Sequence, residues 1–139
     1  MVYDLGSGDG RLLFAALDKG VGKAVGIELD PERVGNARET ARSKGLEARI
    51  SFLQADVMEV SLADASVVLC YLSPSASVAL KPKFESELKP GTRVVMESFP
   101  VPTWKPVRIL EKEYKHFYLY TMPPEFSEDY AVTDYSYWW

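Results

Sequence analysis

Val2-Tyr3-Asp4-Leu5-Gly6-Ser7-Gly8-Asp9-Gly10 is the stretch on which the reading of this chain turns. Val2 to Leu5 reads as a short buried strand, the glycines as a tight turn, and Arg11-Leu12-Leu13-Phe14-Ala15-Ala16-Leu17 as an apolar-faced helix. Glycine lets the backbone turn sharply and approach a ligand with no Cβ in the way. A helix that opens directly after such a turn offers unpaired N–H groups to an electron-rich ligand group.

The spacing is Gly-x-Gly-x-Gly, one residue shorter than the Gly-x-Gly-x-x-Gly of dinucleotide sites. Asp4 also ends the strand two residues ahead of the first glycine, where its charge would repel a pyrophosphate. A carboxylate there suits a cationic amino group, such as that on the methionyl part of S-adenosylmethionine. Asp4-x-Gly6-x-Gly8-x-Gly10 resembles motif I of the class I methyltransferases.

Downstream, Ala24 to Leu29 reads as a second buried strand, with Asp30 as N-cap and Pro31 as first residue of a helix that ends at Gly45. Val34, Ala37 and Ala41 recur on one face of that helix. Glu28 ends the strand about 20 residues beyond the glycine turn, where an acid hydrogen-bonds a ribose diol; the competing reading is a surface acid paired with Arg33. Strand three, Ala48 to Leu53, leads to Asp56, which resembles the acid that meets an adenine amino group in methyltransferases of this class. Asp at a strand end is also a common turn residue. Leu29 and Val57, next to these acids, are assigned to the same site.

Ser66 to Leu72 reads as a fully buried fourth strand. Tyr71 and Ser73 at its carboxyl end are placed to line a reaction pocket, since ligands of open α/β sheets sit outside the carboxyl ends of strands. Tyr71 as core and Ser73 as helix cap are the open alternatives. Residues 76–88 read as a helix interrupted or kinked at Pro82. Thr92 to Glu97 is strand five, and Pro100, Pro102 and Pro106 make a stiff loop around Trp104. Val107 to Glu111 and Phe117 to Tyr120 read as a hairpin turning near Tyr114 and Lys115. His116, the only histidine, reads as an ordinary strand-end residue, and no metal site is implied. This order predicts an α/β, Rossmann-like fold: a mostly parallel sheet of the seven-stranded type, finished by a C-terminal antiparallel hairpin.

Composition bounds the function. With 139 residues and 47% hydrophobic content the chain reads as one domain with a sizeable core. A single cysteine excludes an internal disulfide, and no stretch is apolar for long enough to span a bilayer, so a cytoplasmic protein without a membrane partner is expected. The net charge of −4 is that of Glu125, Glu128, Asp129 and Asp134 in the last fifteen residues, which hold no Lys or Arg. The remaining body is formally neutral, which counts against a nucleic-acid partner. Residues 1–124 are read as the methyltransferase domain and 125–139 as an acidic tail. Tyr130, Tyr135, Tyr137, Trp138 and Trp139 make folding back over an apolar or substrate surface the expectation for that tail. No oligomeric state is specified.

Val2 to Arg11, Leu80-Lys81-Pro82-Lys83-Phe84-Glu85-Ser86-Glu87-Leu88-Lys89-Pro90-Gly91-Thr92-Arg93-Val94-Val95 and Trp104-Lys105-Pro106-Val107 together resemble a small family of protein-lysine methyltransferases. That family includes broad-specificity archaeal enzymes and mitochondrial relatives acting on the ATP synthase c subunit or the adenine nucleotide translocase. The resemblance covers roughly residues 1–122. It implies S-adenosylmethionine as cofactor and a lysine-presenting protein as partner. Asp4, Gly6, Gly8 and Gly10 would hold the methionyl end, Glu28 the ribose and Asp56 the adenine. Tyr71 is then a candidate for orienting the acceptor, and Glu97 for taking its proton.

Members of that family usually carry asparagine at the position of Ser77 and an acidic or polar residue before Phe near Ser98-Phe99, departures that bear on the acceptor rather than the cofactor. They also begin with a helix-containing segment before the first strand, whereas Met1 here opens the strand; weak catalysis, and tighter cofactor binding once an upstream segment is added, are expected. Rival readings are a methyltransferase of a small molecule or RNA, a nicotinamide oxidoreductase, and a catalytically idle S-adenosylmethionine-binding module. The Asn/Asp-Pro-Pro-Tyr/Phe tetrapeptide of adenine-N6 enzymes does not end strand four.

Overall fold

A computed structural model describes residues 1–131. Five strands alternate with three helices in its first two thirds: β1 (Val2–Leu5), α1 (Arg11–Asp18), β2 (Ala24–Glu28), α2 (Pro31–Ser43), β3 (Ile50–Gln54), β4 (Val67–Cys70), α3 (Pro74–Glu87) and β5 (Arg93–Glu97). Then come β6 (Trp104–Lys105), β7 (Arg108–Lys112), β8 (Lys115–Thr121), β9 (Glu125–Phe126) and a 3₁₀ turn at Glu128–Tyr130. The main sheet has the order β3-β2-β1-β4-β5-β8-β7. Its first five strands are parallel and the β8–β7 hairpin closes it antiparallel, as the sequence predicts. The order reverses between β1 and β4, and the crevice beyond their carboxyl ends is where such sheets take ligands.

Each face has its own core. Tyr3, Leu5, Ile27, Val68, Cys70, Val94, Met96 and Tyr120 pack with Leu80 and Phe84 of α3. Val2, Ala24, Ile50 and Phe52 pack with α1 and α2 through Leu13, Phe14, Leu17, Val34, Ala37 and Ala41. These two helices cover β1 to β3, so β4 is not fully buried as expected: Val67 and Leu69 on that face stay half-buried, as does Val95 beside them.

Local chemistry sets the helix ends. The Asp30 side chain accepts the Glu32 N–H at 3.0 Å and Pro31 opens α2. The α3 helix starts two residues earlier than expected, because Ser73 caps it by accepting the Ala76 N–H at 3.2 Å and Pro74 takes the first helical position. It runs on through Pro82 to Glu87.

The proline-rich loop fills the core on the α3 side. Trp104 is wholly buried, packs on Phe84 and meets Tyr120 edge-on at 5.4 Å, and its Nε1–H donates to Glu85. Tyr120 in turn accepts the Val101 N–H at 3.1 Å. The hairpin turn is Glu113-Tyr114, one residue before the expected place, both residues having positive φ. Turns of that kind favour Asn and Gly, so neither residue marks the position in sequence.

The first residues of the acidic tail belong to this body. Glu125–Phe126 pairs with Trp104–Lys105, the Ser127 N–H donates to Thr103 O, and the Thr103 N–H donates to Tyr130 O. Tyr135, Tyr137, Trp138 and Trp139 lie outside the described residues.

Candidate active site

The glycine turn is held from below by β2. The Gly6 and Ser7 N–H groups both donate to Ile27 O, at 2.8 and 3.0 Å. Gly6 and Gly8 have φ of +80° and +58°, a region that side chains other than glycine's avoid. A Cβ on Gly6 would lie 2.6 Å from Leu72 Cδ2, so the turn passes directly over the end of β4. Gly26, not singled out in the sequence, matters as much. A Cβ there would meet Ser7 Oγ at 2.6 Å and Phe52 at 2.7 Å. Ser7 Oγ is buried against it with no hydrogen-bond partner among the described residues.

Glu28 is not paired with Arg33. Its Oε1 accepts the Gly8 N–H at 2.9 Å and its Oε2 the Asp30 N–H at 3.0 Å. One carboxylate thus ties the glycine turn to the start of α2. Arg33 lies 3.8 Å from Asp30 instead.

A cleft of about 510 Å³ opens at the reversal point, a volume usual for small-molecule sites. Gly6, Glu28, Leu29, Asp56, Val57, Tyr71 and Ser73 line it, so seven residues singled out from sequence meet on one wall system. Ile27, Arg33, Ala55, Leu72 and Ala76 complete it. Apart from Arg33, which the sequence offers only as a partner for Glu28, these carry no sequence signal beyond their nearness to marked residues. Asp56 also fills its turn role, accepting the Met58 N–H at 2.9 Å. Ser73 both caps α3 and faces the cleft, and Tyr71 is 57% exposed rather than core. Its ring stacks on Phe99, with centroids 6.3 Å apart and planes 4° from parallel. Phe99 is in turn anchored by Ser77, a buried residue whose hydroxyl donates to Phe99 O at 3.1 Å.

Four residues named from sequence stand outside that lining. Gly8 borders an adjoining polar recess with Ser7, Asp9, Arg11 and Arg33. Gly10 packs under Phe52 and Phe14 at the start of α1. Glu97 ends β5 and pairs with Lys115 at 3.3 Å. Asp4 is buried at 6% exposure. Burial pushes its carboxyl up to about 6, with the charges of Glu97 and Glu28 adding to the effect. Next door, Cys70 ends β4 with a thiol that burial, and then the Asp4 charge, push up to about 12.

The arrangement can hold a polar ligand with a sugar-like diol at Glu28, a flat group near Asp56 and Val57, and a cation near Asp4. Among the described residues no cluster of His, Cys, Asp and Glu forms a metal site, and no helix is long and apolar enough to cross a membrane.

Known proteins share this framework. A Saccharolobus islandicus protein named as a protein-lysine N-methyltransferase is 42% identical over 114 residues, covering 81% of this chain and 71% of its own length. The mouse adenine nucleotide translocase lysine N-methyltransferase is 43% identical over 109 residues, and the match covers 78% of this chain. That match takes in 48% of the mouse protein, so the chain spans about half of that relative's length. A crystal structure described as an RNA methyltransferase from Salinibacter ruber in complex with S-adenosyl-L-homocysteine superposes with a TM-score of 0.86. It is 39% identical, with 94% of this chain and 86% of that one covered. The profile of the ANTKMT methyltransferase domain matches residues 4–108, more than half of the sequence, and the chain belongs to that family.

Proposed function

We propose that this chain transfers a methyl group from S-adenosylmethionine to lysine side chains of proteins. The observation that carries the reading is the cleft at the strand-order reversal, lined together by Gly6, Glu28, Leu29, Asp56, Val57 and Tyr71. The residues present fit the cofactor. The glycine turn gives close backbone approach, and Asp4 is a buried carboxylate that ionises as pH rises through about 6 and whose charge an arriving cation would offset. Asp4, Gly6, Gly8 and Gly10 are assigned to the methionyl end, Glu28 with Leu29 to the ribose, and Asp56 with Val57 to the adenine. Residues 1–124 form the transferase domain in this assignment, with 125–139 appended. A cytoplasmic location is part of the same reading, supported by the single buried cysteine.

Bound there, the cofactor supplies an activated methyl group, so the protein's own part is positioning and proton handling. The Tyr71 ring, backed by the Phe99 ring stacked on it, gives the cleft an aromatic surface suited to the methylene stem of a lysine. The acceptor amine must lose a proton from a group with a pKa of about 10.4 before it can attack. Glu97, half-buried at the end of β5, is the carboxylate assigned to receive it.

The Salinibacter structure's description favours RNA as a second acceptor class, while the neutral body charge speaks for protein. Calorimetric titration is expected to show binding of S-adenosylmethionine and S-adenosylhomocysteine but not NADH. Labelled methyl groups transferred in a cell extract are then expected in protease-sensitive material, at lysine. Label in ribonuclease-sensitive material would replace protein by RNA, and NADH binding alone would end the methyltransferase assignment.

A further inference from the structure

Glu97 and Lys115 are diagonal neighbours across the β5–β8 ladder. Glu97 pairs in register with Phe117, and Lys115 lies two residues earlier on β8, its side chain on the same face of the sheet. Their charged atoms are 3.3 Å apart, with the Glu97 side chain 19% exposed and that of Lys115 61% exposed. A sunken carboxylate therefore carries a cation on its solvent side.

Two contacts tie this pair to the cleft. The Phe99 N–H donates to Glu97 O at 2.9 Å, and the Phe99 ring stacks on Tyr71, which lines the cleft. The charge of Glu97 is also felt at Asp4. The other acids of the site are engaged differently. Asp4 is buried, both oxygens of Glu28 accept backbone N–H groups, and Asp56 closes a turn at the end of β3.

A lysine reaches an enzyme at neutral pH as an ammonium ion. We infer that Glu97 is the docking carboxylate for that ammonium and that Lys115 is its resident stand-in, displaced when the acceptor enters. This rests on the lysine-acceptor reading. It makes Lys115 a specificity-determining residue: only a group able to replace one ammonium by another gains the Glu97 contact, and neutral side chains are turned away. With its cation 61% exposed to water the pair gains little from the contact, so the exchange is open to a competing cation.

The test uses the full chain saturated with S-adenosylhomocysteine and titrated with N-acetyl-lysine methylamide, with N-acetyl-norleucine methylamide as the neutral control. Lys115→Met keeps the stem and removes the charge. It is expected to tighten lysine-probe binding about three- to tenfold, leaving affinity for S-adenosylhomocysteine unchanged. Glu97→Gln is expected to weaken the probe about tenfold or more, and in that background Lys115→Met should have no further effect. With ¹³C-labelled lysine, the Lys115 side-chain signal should shift towards that of a free lysine as the probe is added. Equal probe affinity in the wild type and Lys115→Met, or equal binding of the norleucine control, overturns the inference. Lysines of a cell extract that gain methyl mass from wild type and Lys115→Met with the same KM overturn it while leaving the acceptor reading intact. Probe displacement without methylation of any lysine counts against the acceptor reading alone.

Discussion

Asp4→Asn is expected to strengthen the ligand-free protein at pH 7.5 and to weaken its hold on S-adenosylmethionine. The two effects share one cause. Burial first, then the charges of Glu97 and Glu28, push the Asp4 carboxyl up to about 6 in the fold, against about 3.9 in an unfolded chain. The native state therefore holds a proton that the unfolded state has released between about pH 4 and 6. Stability from this group is complete below about pH 4 and is lost as pH rises through 6, where a buried carboxylate is forced to ionise. A shift of this size corresponds to about 2–3 kcal/mol. Asparagine, close in shape and without charge, should recover roughly 2 kcal/mol at pH 7.5 and almost nothing at pH 4.

Cofactor binding runs the other way, because in the proposed assignment the ionised carboxylate meets an ammonium. Losing a charge-assisted contact predicts roughly a 10- to 100-fold fall in affinity. The wild-type protein should itself bind less tightly as pH falls below 6. Urea unfolding at both pH values and calorimetry at pH 7.5 check the pair. A destabilised variant at pH 7.5, or one with unchanged cofactor affinity, would refute the account of Asp4.

Gly10→Ala should cost about 3 kcal/mol of stability. The residue stands at φ +84°, and a Cβ would lie 2.6 and 2.7 Å from two ring atoms of Phe52 and 3.1 Å from Phe14. Left-handed backbone costs a non-glycine residue about 1–2 kcal/mol, and overpacking a filled core adds about 1–3 kcal/mol. Out of a total stability of about 5–15 kcal/mol that loss is large. Gly20 supplies the control. It has φ +97°, but an added methyl would meet nothing within 4 Å, so Gly20→Ala should show the backbone cost alone. Matched urea midpoints for the two variants would remove Phe52 from the explanation.

Why the sequence disclosed so much is visible at individual positions. Strong local chemistry announces itself: Asp30-Pro31 opens α2, the glycine run makes a turn that only glycine adopts easily, and the unbroken apolar stretch Val67–Cys70 marks a central strand. The cleft residues at strand ends were findable because a parallel sheet converts a place along the chain into a place in space. What stayed hidden depends on partners far away in sequence. Gly26 reads as a small residue in a strand until Ser7 and Phe52 press on it. Glu28 and Arg33 look like a helix-start pair, yet backbone N–H groups claim the carboxylate first. Trp104 sits among prolines that suggest a surface loop, and only the assembled sheet reveals the slot between Phe84 and Tyr120 that it fills. Lys115 belongs to a hairpin whose turn lacks turn-forming residues, so nothing local places it beside Glu97.

Cys70 gives the molecule a built-in timer. It is the only thiol in the chain, it lies at the end of a strand flanked by β1 and β5, and at neutral pH a thiol pushed up to about 12 is almost never a thiolate. Alkylating and disulfide-forming reagents therefore find nothing to attack while β4 stays in place. Their slow reaction counts openings of the sheet's centre, each one a departure of the strand that leads into Tyr71, Leu72 and Ser73 on the cleft wall. Cysteines introduced on the surface can carry dyes or spin labels with this native thiol silent beneath them.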